Sequence, residues 1–222
     1  MPKDLRDIPN SPSASPSKGP DDSLMEGKMP EMPGVLRSRW AAPVLFTGKA
    51  IANPRKIGAL LPSTSSLGKT MAYMASGARI VELGPGSGSI TRHLLARLPL
   101  DGRLLALELD AGFAQRLGDR MKDPRLDIRT GDANDLPVWL QSMGWDHVDA
   151  VVSGLPFQAF SSIARTSILD SVQASLTPAG RFVAFQYGLR LLPIFRKHFR
   201  RVHVVGPVWW NFPPAYVIIG RI

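Results

Sequence analysis

The chain has 222 residues, 44% of them hydrophobic, enough for one domain with a substantial core and a tail. It lacks cysteine, which excludes disulfides and thiolate metal sites, and its four histidines are scattered, so we expect no metal. The net charge is +9, and all of the positive excess lies in residues 32–81 and 171–222, each with seven Lys or Arg and no acid, whereas the rest of the chain is net negative. This asymmetry favours an anionic partner (nucleic acid or a membrane surface) over a merely solvated basic face.

Residues 1–34 are rich in Pro, Ser, Asp and Gly and predict a disordered tail. Residues 35–76 predict amphipathic helices that bind a membrane, because Leu36, Trp40 and Val44 recur at helical spacing beside basic residues. A second role for these helices, covering the substrate, is implied only by a family resemblance. The pattern leaves open whether this apolar side meets a membrane or packs on the domain. The candidate membrane contacts are Arg37, Arg39, Trp40, Leu45, Phe46 and Lys49. The first apolar run begins too late for a secretory signal, so we expect a cytoplasmic protein.

Residues 77–222 predict the catalytic domain, which opens on a strand, a glycine turn and a helix. The strand over residues 80–83 carries Glu82, and the turn carries Gly84, Gly86 and Gly88. A dinucleotide fingerprint needs its third glycine at position 89, where this chain has Ser89. The pattern instead resembles motif I of the S-adenosylmethionine (SAM) methyltransferases, in which Glu82 would hold the methionine ammonium.

Two more acids follow the next two predicted strands. Glu108 ends the second strand, twenty residues beyond Gly88, where α/β nucleotide-binding folds place a carboxylate for the ribose hydroxyls. The third strand is followed by Asp132 and Ala133, and the resemblance implies an adenine contact through the Asp132 carboxylate and the Ala133 amide. Three acids at consecutive strand ends favour a nucleoside site over surface charge.

The fourth strand, residues 148–153, ends in Ser153 and Gly154-Leu-Pro-Phe157. This sequence resembles the Asn-x-Pro-aromatic motif of amino-methyltransferases, except that Gly154 replaces the Asn. Without that side-chain amide a nucleobase amine loses its usual acceptor, whereas an aliphatic amine remains possible. A helix over residues 160–176, a strand over 180–187 and a basic helix over 189–199 follow. The uncharged residues 202–220 predict two strands around a turn, because their Gly-Pro and Pro-Pro pairs argue against a membrane span.

Taken together, residues 53–66, 82–88, 153–157 and 210–215 resemble the bacterial phospholipid N-methyltransferases. The resemblance implies an α/β class I SAM-methyltransferase fold: a Rossmann-like, seven-stranded, mostly parallel sheet with helices on both faces and an N-terminal amphipathic helical extension. It implies that SAM methylates phosphatidylethanolamine, stepwise, to phosphatidylcholine. The partners would be an anionic membrane surface, phosphatidylethanolamine and its methylated derivatives, without nucleic acid or metal. The enzyme would lie peripherally on the inner membrane of a bacterium, at its cytoplasmic face.

The same resemblance assigns roles to individual residues. Tyr187 and Phe157 would face the amine beside Gly154, although core packing is an equal alternative for Phe157, and Arg190 would meet the lipid phosphate. The cofactor contacts would be Ser63 (equally an N-cap), Glu82, Gly84, Gly86, Gly88, Glu108, Asp132, Ala133 and Ser153. The alternative functions are an rRNA adenine dimethyltransferase, and a non-catalytic protein that binds SAM or a membrane.

Overall fold

The computed structural model of the chain describes residues 63–209 and 214–222, with side chains from residue 65 onward. The predicted tail, the six candidate membrane contacts between residues 37 and 49, and the side chain of Ser63 lie outside the described residues. The domain boundaries at residues 34 and 76 therefore stay predictions.

Helices and strands alternate along most of the described part. Counted over that part, the helices are α1 Ser63–Met74, α2 Thr91–Arg97, α3 Ala111–Arg120, α4 Leu136–Ser142, α5 Ser162–Ser175 and α6 Leu192–His198. The strands are β1 Arg79–Leu83, β2 Arg103–Glu108, β3 Leu126–Thr130, β4 Val148–Ser153, β5 Leu176–Gln186, β6 Arg201–Val208 and β7 Ala215–Arg221. Two short 3-10 helices, Ala133–Asp135 and Phe157–Ala159, follow β3 and β4.

The seven strands form one sheet in the order β3-β2-β1-β4-β5-β7-β6. The first five strands in this order are mutually parallel, and β7 pairs antiparallel with both β5 and β6. The carboxyl ends of β1 to β6 therefore meet at one edge of the sheet, which we call the carboxyl edge. This arrangement confirms the predicted class I methyltransferase fold.

The sheet is covered on both faces because its strands are apolar on both sides. In β1, Val81 and Leu83 belong to one hydrophobic cluster, together with residues of α4, α5 and α6. Ile80 belongs to the other cluster, together with residues of α1 and α2. Side chains alternate along a strand, so Glu82 shares the face of Ile80.

Several element boundaries differ from the sequence prediction for local reasons. α5 begins at Ser162, not at residue 160, because the Ser161 hydroxyl caps it by accepting a hydrogen bond from the Ala164 amide at 3.2 Å. α6 begins at Leu192 because Pro193 occupies its first turn, where a missing N–H costs no hydrogen bond. Helix α4 was not predicted from the residue pattern.

The prediction of two strands for the uncharged C-terminal run is confirmed by β6 and β7. Among the helices that the structure describes, none combines the length and apolarity needed to cross a bilayer.

Arg125 ties the end of α2 to the loop before β3. Its guanidinium donates to the carbonyls of Leu95 and Leu98, at 3.1 and 2.8 Å, and to the carboxylate of Asp123 at 2.8 Å. The side-chain hydrogen bonds from Arg125 to the Asp123 carboxylate, and next the bond from the Arg125 amide, lower the pKa of Asp123 to about 2. Both side chains are largely covered, with 19% and 24% of their surfaces exposed.

We predict that Arg125→Leu lowers the free energy of unfolding more than Arg129→Leu does, because several hydrogen bonds to helix-end carbonyls are lost together. Arg129→Leu is the matched control: Arg129 pairs with Asp127 alone and is 52% exposed, so its loss costs about 0–1 kcal/mol. Urea denaturation measures both variants, and equal destabilisation would contradict the assignment.

Candidate functional site

A glycine turn leads from β1 into α2 at the carboxyl edge. Gly84, Gly86 and Gly88 all have positive φ, of 70°, 52° and 78°, which side chains disfavour. A Cβ at Gly84 would lie 2.8 Å from the Leu155 side chain, whereas a Cβ at Gly86 would meet nothing within 4 Å. The middle of the turn is thus bare backbone facing open space, against which a ligand can lie.

Glu82, near the end of β1, is an isolated buried acid. None of its surface is exposed, and neither carboxylate oxygen has a hydrogen-bond partner within the described part of the chain. Burial raises its pKa to about 7; the nearby Thr91 lowers it, without reaching full hydrogen-bond geometry, and the charge of Glu108 raises it further. The Thr91 hydroxyl is buried and unpartnered as well. Two orphaned polar groups beside a glycine turn fit a ligand that carries a cationic group.

Glu108, at the end of β2, faces the same turn. Its Oε2 accepts a hydrogen bond from the Gly86 amide at 3.0 Å, and its Oε1 accepts one from the Asp110 amide at 3.2 Å. Because β1 pairs with β2 in parallel register, the two carboxylates are brought to one edge. This position suits a carboxylate that accepts the two hydroxyls of a ribose, as the sequence predicted.

Asp132 is exposed just beyond β3, the next strand along the carboxyl edge. Its Oδ1 accepts hydrogen bonds from the Asn134 amide at 2.9 Å and from the Asn134 side chain at 2.8 Å. These two bonds fix the carboxylate and leave its Oδ2 available to a ligand amine. Ala133 is half-buried and begins the short 3-10 helix there. Asp132 also contributes, after burial, to the raised pKa of Asp135.

On the other side of β1, the chain leaving β4 runs close to the glycine turn. The Gly154 amide donates to the Leu83 carbonyl at 2.8 Å, and a Cβ at Gly154 would lie 2.6 Å from the Gly84 carbonyl oxygen. Ser153 is buried, and its hydroxyl accepts from the Leu155 amide at 3.2 Å. The missing Asn at position 154 therefore has a structural reason: the two turns approach too closely for any side chain.

The predicted substrate residues lie in different environments. Phe157 is fully buried, with its ring centroid 5.7–6.1 Å from those of Phe160, Phe182 and Phe195, which fits the core-packing alternative. Tyr187 follows β5 at the carboxyl edge and is 50% exposed. Arg190 is exposed after the same strand and has no carboxylate partner among the residues the structure describes.

Three residues that the sequence analysis missed also shape this site: Thr91, Asn134 and Arg120. Arg120, on α3, donates to the Ser87 carbonyl of the glycine turn at 3.2 Å. Only Thr91 left a sequence signal, since it is a polar residue on the apolar side of α2 beside Leu94 and Leu95. Asn134 and Arg120 become relevant only through folding.

Comparisons with known proteins agree with this geometry. The sequence profile of the methyltransferase domain family matches residues 80–180. The ornithine lipid N-methyltransferase of Singulisphaera acidiphila is 36% identical over 142 residues, covering 62% of this chain and 74% of that protein. Ribosomal RNA small subunit methyltransferase A of Thiobacillus denitrificans is 40% identical over 82 residues, covering 37% of this chain and 29% of that protein.

Two solved structures show the same fold. The SAM-dependent methyltransferase of Aquifex aeolicus has a TM-score of 0.55 at 13% identity and covers 78% of this chain and 95% of its own. The SAM-dependent O-methyltransferase of Thermotoga maritima has a TM-score of 0.54 at 21% identity, and the match covers 78% of this chain and 69% of that one. The three acids predicted to contact the cofactor, Glu82, Glu108 and Asp132, all lie at the carboxyl edge of this fold.

We predict that Glu82→Gln stabilises the ligand-free protein increasingly as the pH rises. The Glu82 carboxyl keeps its proton up to a pH of about 7 in the folded state but ionises near 4.5 when unfolded. Its contribution to stability is therefore full below pH 4.5 and lost as the pH rises to about 7, a difference on the order of 3 kcal/mol. Denaturation of the parent and of Glu82→Gln at several pH values measures the difference between their free energies of unfolding. A difference that does not change with pH would contradict the prediction.

The same substitution should weaken S-adenosylhomocysteine binding by about tenfold or more, because a charged hydrogen bond to the ammonium is lost. Binding to the parent protein below pH 7 should release a proton, which calorimetry in buffers of different ionisation enthalpy detects. Equal affinity for parent and variant would remove Glu82 from the site.

A second pair of variants tests the contact between the two turns. Gly154→Ala should lower the melting temperature and the affinity for S-adenosylhomocysteine, because its methyl group forces β1 and β4 apart at the turn. Gly118→Ala, in α3, is the control: its new Cβ lies 3.9 Å from Ile128, an ordinary contact, and alanine favours the helix by about 1 kcal/mol. A tolerated Gly154→Ala would show that the turns are not in contact.

Proposed function

The chain belongs to the class I SAM-dependent methyltransferases, and on that basis we propose that it methylates the aliphatic amine of a membrane lipid. The observation that carries this proposal is the bare backbone at Gly154. A nucleobase amine is planar and needs a side-chain acceptor, which the 2.6 Å approach to the Gly84 carbonyl leaves no room for. A tetrahedral aliphatic amine can be held by donating its N–H groups to backbone carbonyls alone.

Two lipid classes satisfy this requirement. Phosphatidylethanolamine, converted stepwise to phosphatidylcholine, is the substrate that the motifs imply. An aminoacyl lipid is the other, and the relative from Singulisphaera acidiphila is named for ornithine lipid. Both head groups pair an amine with an anion. Arg190, which is exposed and has no carboxylate partner within residues 63–209 and 214–222, would contact that anion. We propose the shared chemistry, methylation of a lipid amine, at the cytoplasmic face of a bacterial inner membrane.

SAM supplies an activated methyl group on a sulfonium sulfur. The chain's own residues align the amine with that group and manage its proton. The amine attacks as a neutral lone pair, so it must first lose a proton, and the exposed Tyr187 hydroxyl is suited to pass that proton to water. The new N–C bond forms as the S–C bond breaks. Buried Phe157 supports the wall behind Gly154 through its aromatic contacts.

Ribosomal RNA is the second candidate substrate, since the match to ribosomal RNA small subunit methyltransferase A favours it. That match covers only 29% of the other protein, so most of that protein is left unmatched. A non-catalytic SAM-binding or membrane-binding protein is the third. A protein that only binds a membrane has little use for an acid that is buried with no partner among the described residues.

Incubation with methyl-labelled SAM distinguishes the three functions. We expect label in the chloroform phase with vesicles that contain phosphatidylethanolamine or ornithine lipid, resolved by thin-layer chromatography into mono-, di- and trimethylated products. Label in RNA, with steep salt dependence, would replace this function by the second. Label in neither would support the third.

Tyr187→Phe should lower kcat on lipid by about tenfold or more while S-adenosylhomocysteine affinity stays unchanged, because only proton transfer is affected. Tyr73→Phe is the matched control, since Tyr73 is 65% exposed on α1, away from the carboxyl edge. Unchanged turnover in Tyr187→Phe would remove this hydroxyl from the mechanism.

A further inference from the structure

Four large apolar side chains are exposed together on one half of the carboxyl edge. They follow β4, β5 and β6, and we call them the apolar rim: Ile163 at 82% exposed, Tyr187 at 50%, Leu189 at 41% and Trp209 at 74%. We infer that the apolar rim inserts into the surface of an anionic bilayer and so seats the catalytic domain on the membrane. This inference deepens the proposed function and rests on it.

The sheet topology gathers the rim, although its residues lie far apart in sequence. Ile163 is in the first turn of α5, just after β4, while Tyr187 and Leu189 follow β5 and Trp209 follows β6. β4 and β5 are neighbours, and β6 is parallel to β5 with β7 between them. Glu82 lies on β1, which is next to β4, and the glycine turn follows β1 at the same edge. A lipid amine that projects from a bilayer under the rim is therefore beside the cofactor site.

Charge divides this edge in two. The described residues just after β4, β5 and β6 (154–165, 187–191 and 209) include Arg165 and Arg190 and no acid. The residues just after β2 and β3 carry Asp110, Asp132 and Asp135. The half that bears the rim is thus basic and apolar, which complements a negatively charged bilayer.

Arg165 is an unusual choice for its position. A cation near the N-terminus of a helix is disfavoured by the helix dipole. The first turn of α5 nevertheless contains no acid, and Arg165 is the fourth residue of that helix. Its guanidinium folds back to donate to the Ser161 carbonyl at 3.3 Å, which keeps it beside Ile163. An anionic lipid head group at this point would offset the unfavourable charge.

The chemistry of the rim favours a bilayer over RNA. Isoleucine and leucine offer RNA neither charge nor a stacking face, but both transfer favourably into the acyl boundary. Tryptophan and tyrosine, with an apolar ring and a polar tip, are the residues that concentrate at membrane interfaces.

The test is flotation with vesicles of phosphatidylethanolamine and phosphatidylglycerol, using the full chain. The rim variant is Ile163→Ser with Trp209→Ser. The matched control is Tyr73→Ser with Leu100→Ser, an aromatic and an aliphatic residue that are 65% and 94% exposed away from the carboxyl edge. We expect the rim variant to partition about tenfold more weakly into vesicles and the control to bind as the parent does. Arg165→Gln should lower binding to these vesicles more than binding to neutral vesicles.

Melting temperature and S-adenosylhomocysteine affinity are measured in parallel and should stay at parent values. Equal vesicle binding by parent and rim variant would overturn the inference. So would a fall of several degrees in the melting temperature of the rim variant, since the rim would then be packed against the chain itself. Loss of RNA binding in place of vesicle binding would overturn it as well.

Methyl transfer to lipid in detergent micelles separates this inference from the proposed function. If the parent methylates the lipid and the rim variant still binds vesicles, the rim inference fails alone. If the parent leaves every lipid amine unmethylated but the rim variant loses vesicle binding, the proposed function fails, while the contact between the apolar rim and the bilayer is still supported.

Discussion

The candidate site depends on one buried carboxylate, that of Glu82, which has no hydrogen-bond partner among the described residues. Glu82 lies near the end of a central strand and is wholly covered. Its ionised form is therefore costly, and its pKa rises to about 7. A cationic group at the carboxyl edge would stabilise the ionised form. The protein thereby gives up stability in its ligand-free state in exchange for a site that is already formed. The surrounding glycine turn, with its open middle position, serves the same purpose.

The second constraint is the close approach of β1 and β4 where they leave the sheet. Gly154 and Gly84 pass each other with no room for a side chain, and the amide of Gly154 bonds to the carbonyl of Leu83. This contact joins the half of the edge that suits the cofactor to the half that carries the apolar rim. Under the proposed function, the lipid amine would approach the site along backbone, from the basic and apolar side.

The sequence predicted the fold well because its signals are local. A short apolar run, a glycine turn and a helical repeat identify β1 and α2, and the same pattern recurs at β2 and β3, so Glu82, Glu108 and Asp132 were recognisable as one set. It predicted less where the outcome depended on distant neighbours. Phe157 and Tyr187 were both candidates to face the amine, but one is enclosed by three phenylalanines and the other is half exposed.

By itself, then, the sequence determined the class of fold, the order of its strands and the three acids at the ends of consecutive strands, since each depends on residues close together along the chain. Tertiary structure alone decided that the Glu82 carboxylate has no hydrogen-bond partner among the described residues and that Glu108 accepts a hydrogen bond from the Gly86 amide. It decided that position 154 has no room for a side chain. It also decided that four exposed apolar residues share one edge. Burial and contact depend on strand register and packing between residues far apart in the chain, which no local pattern encodes.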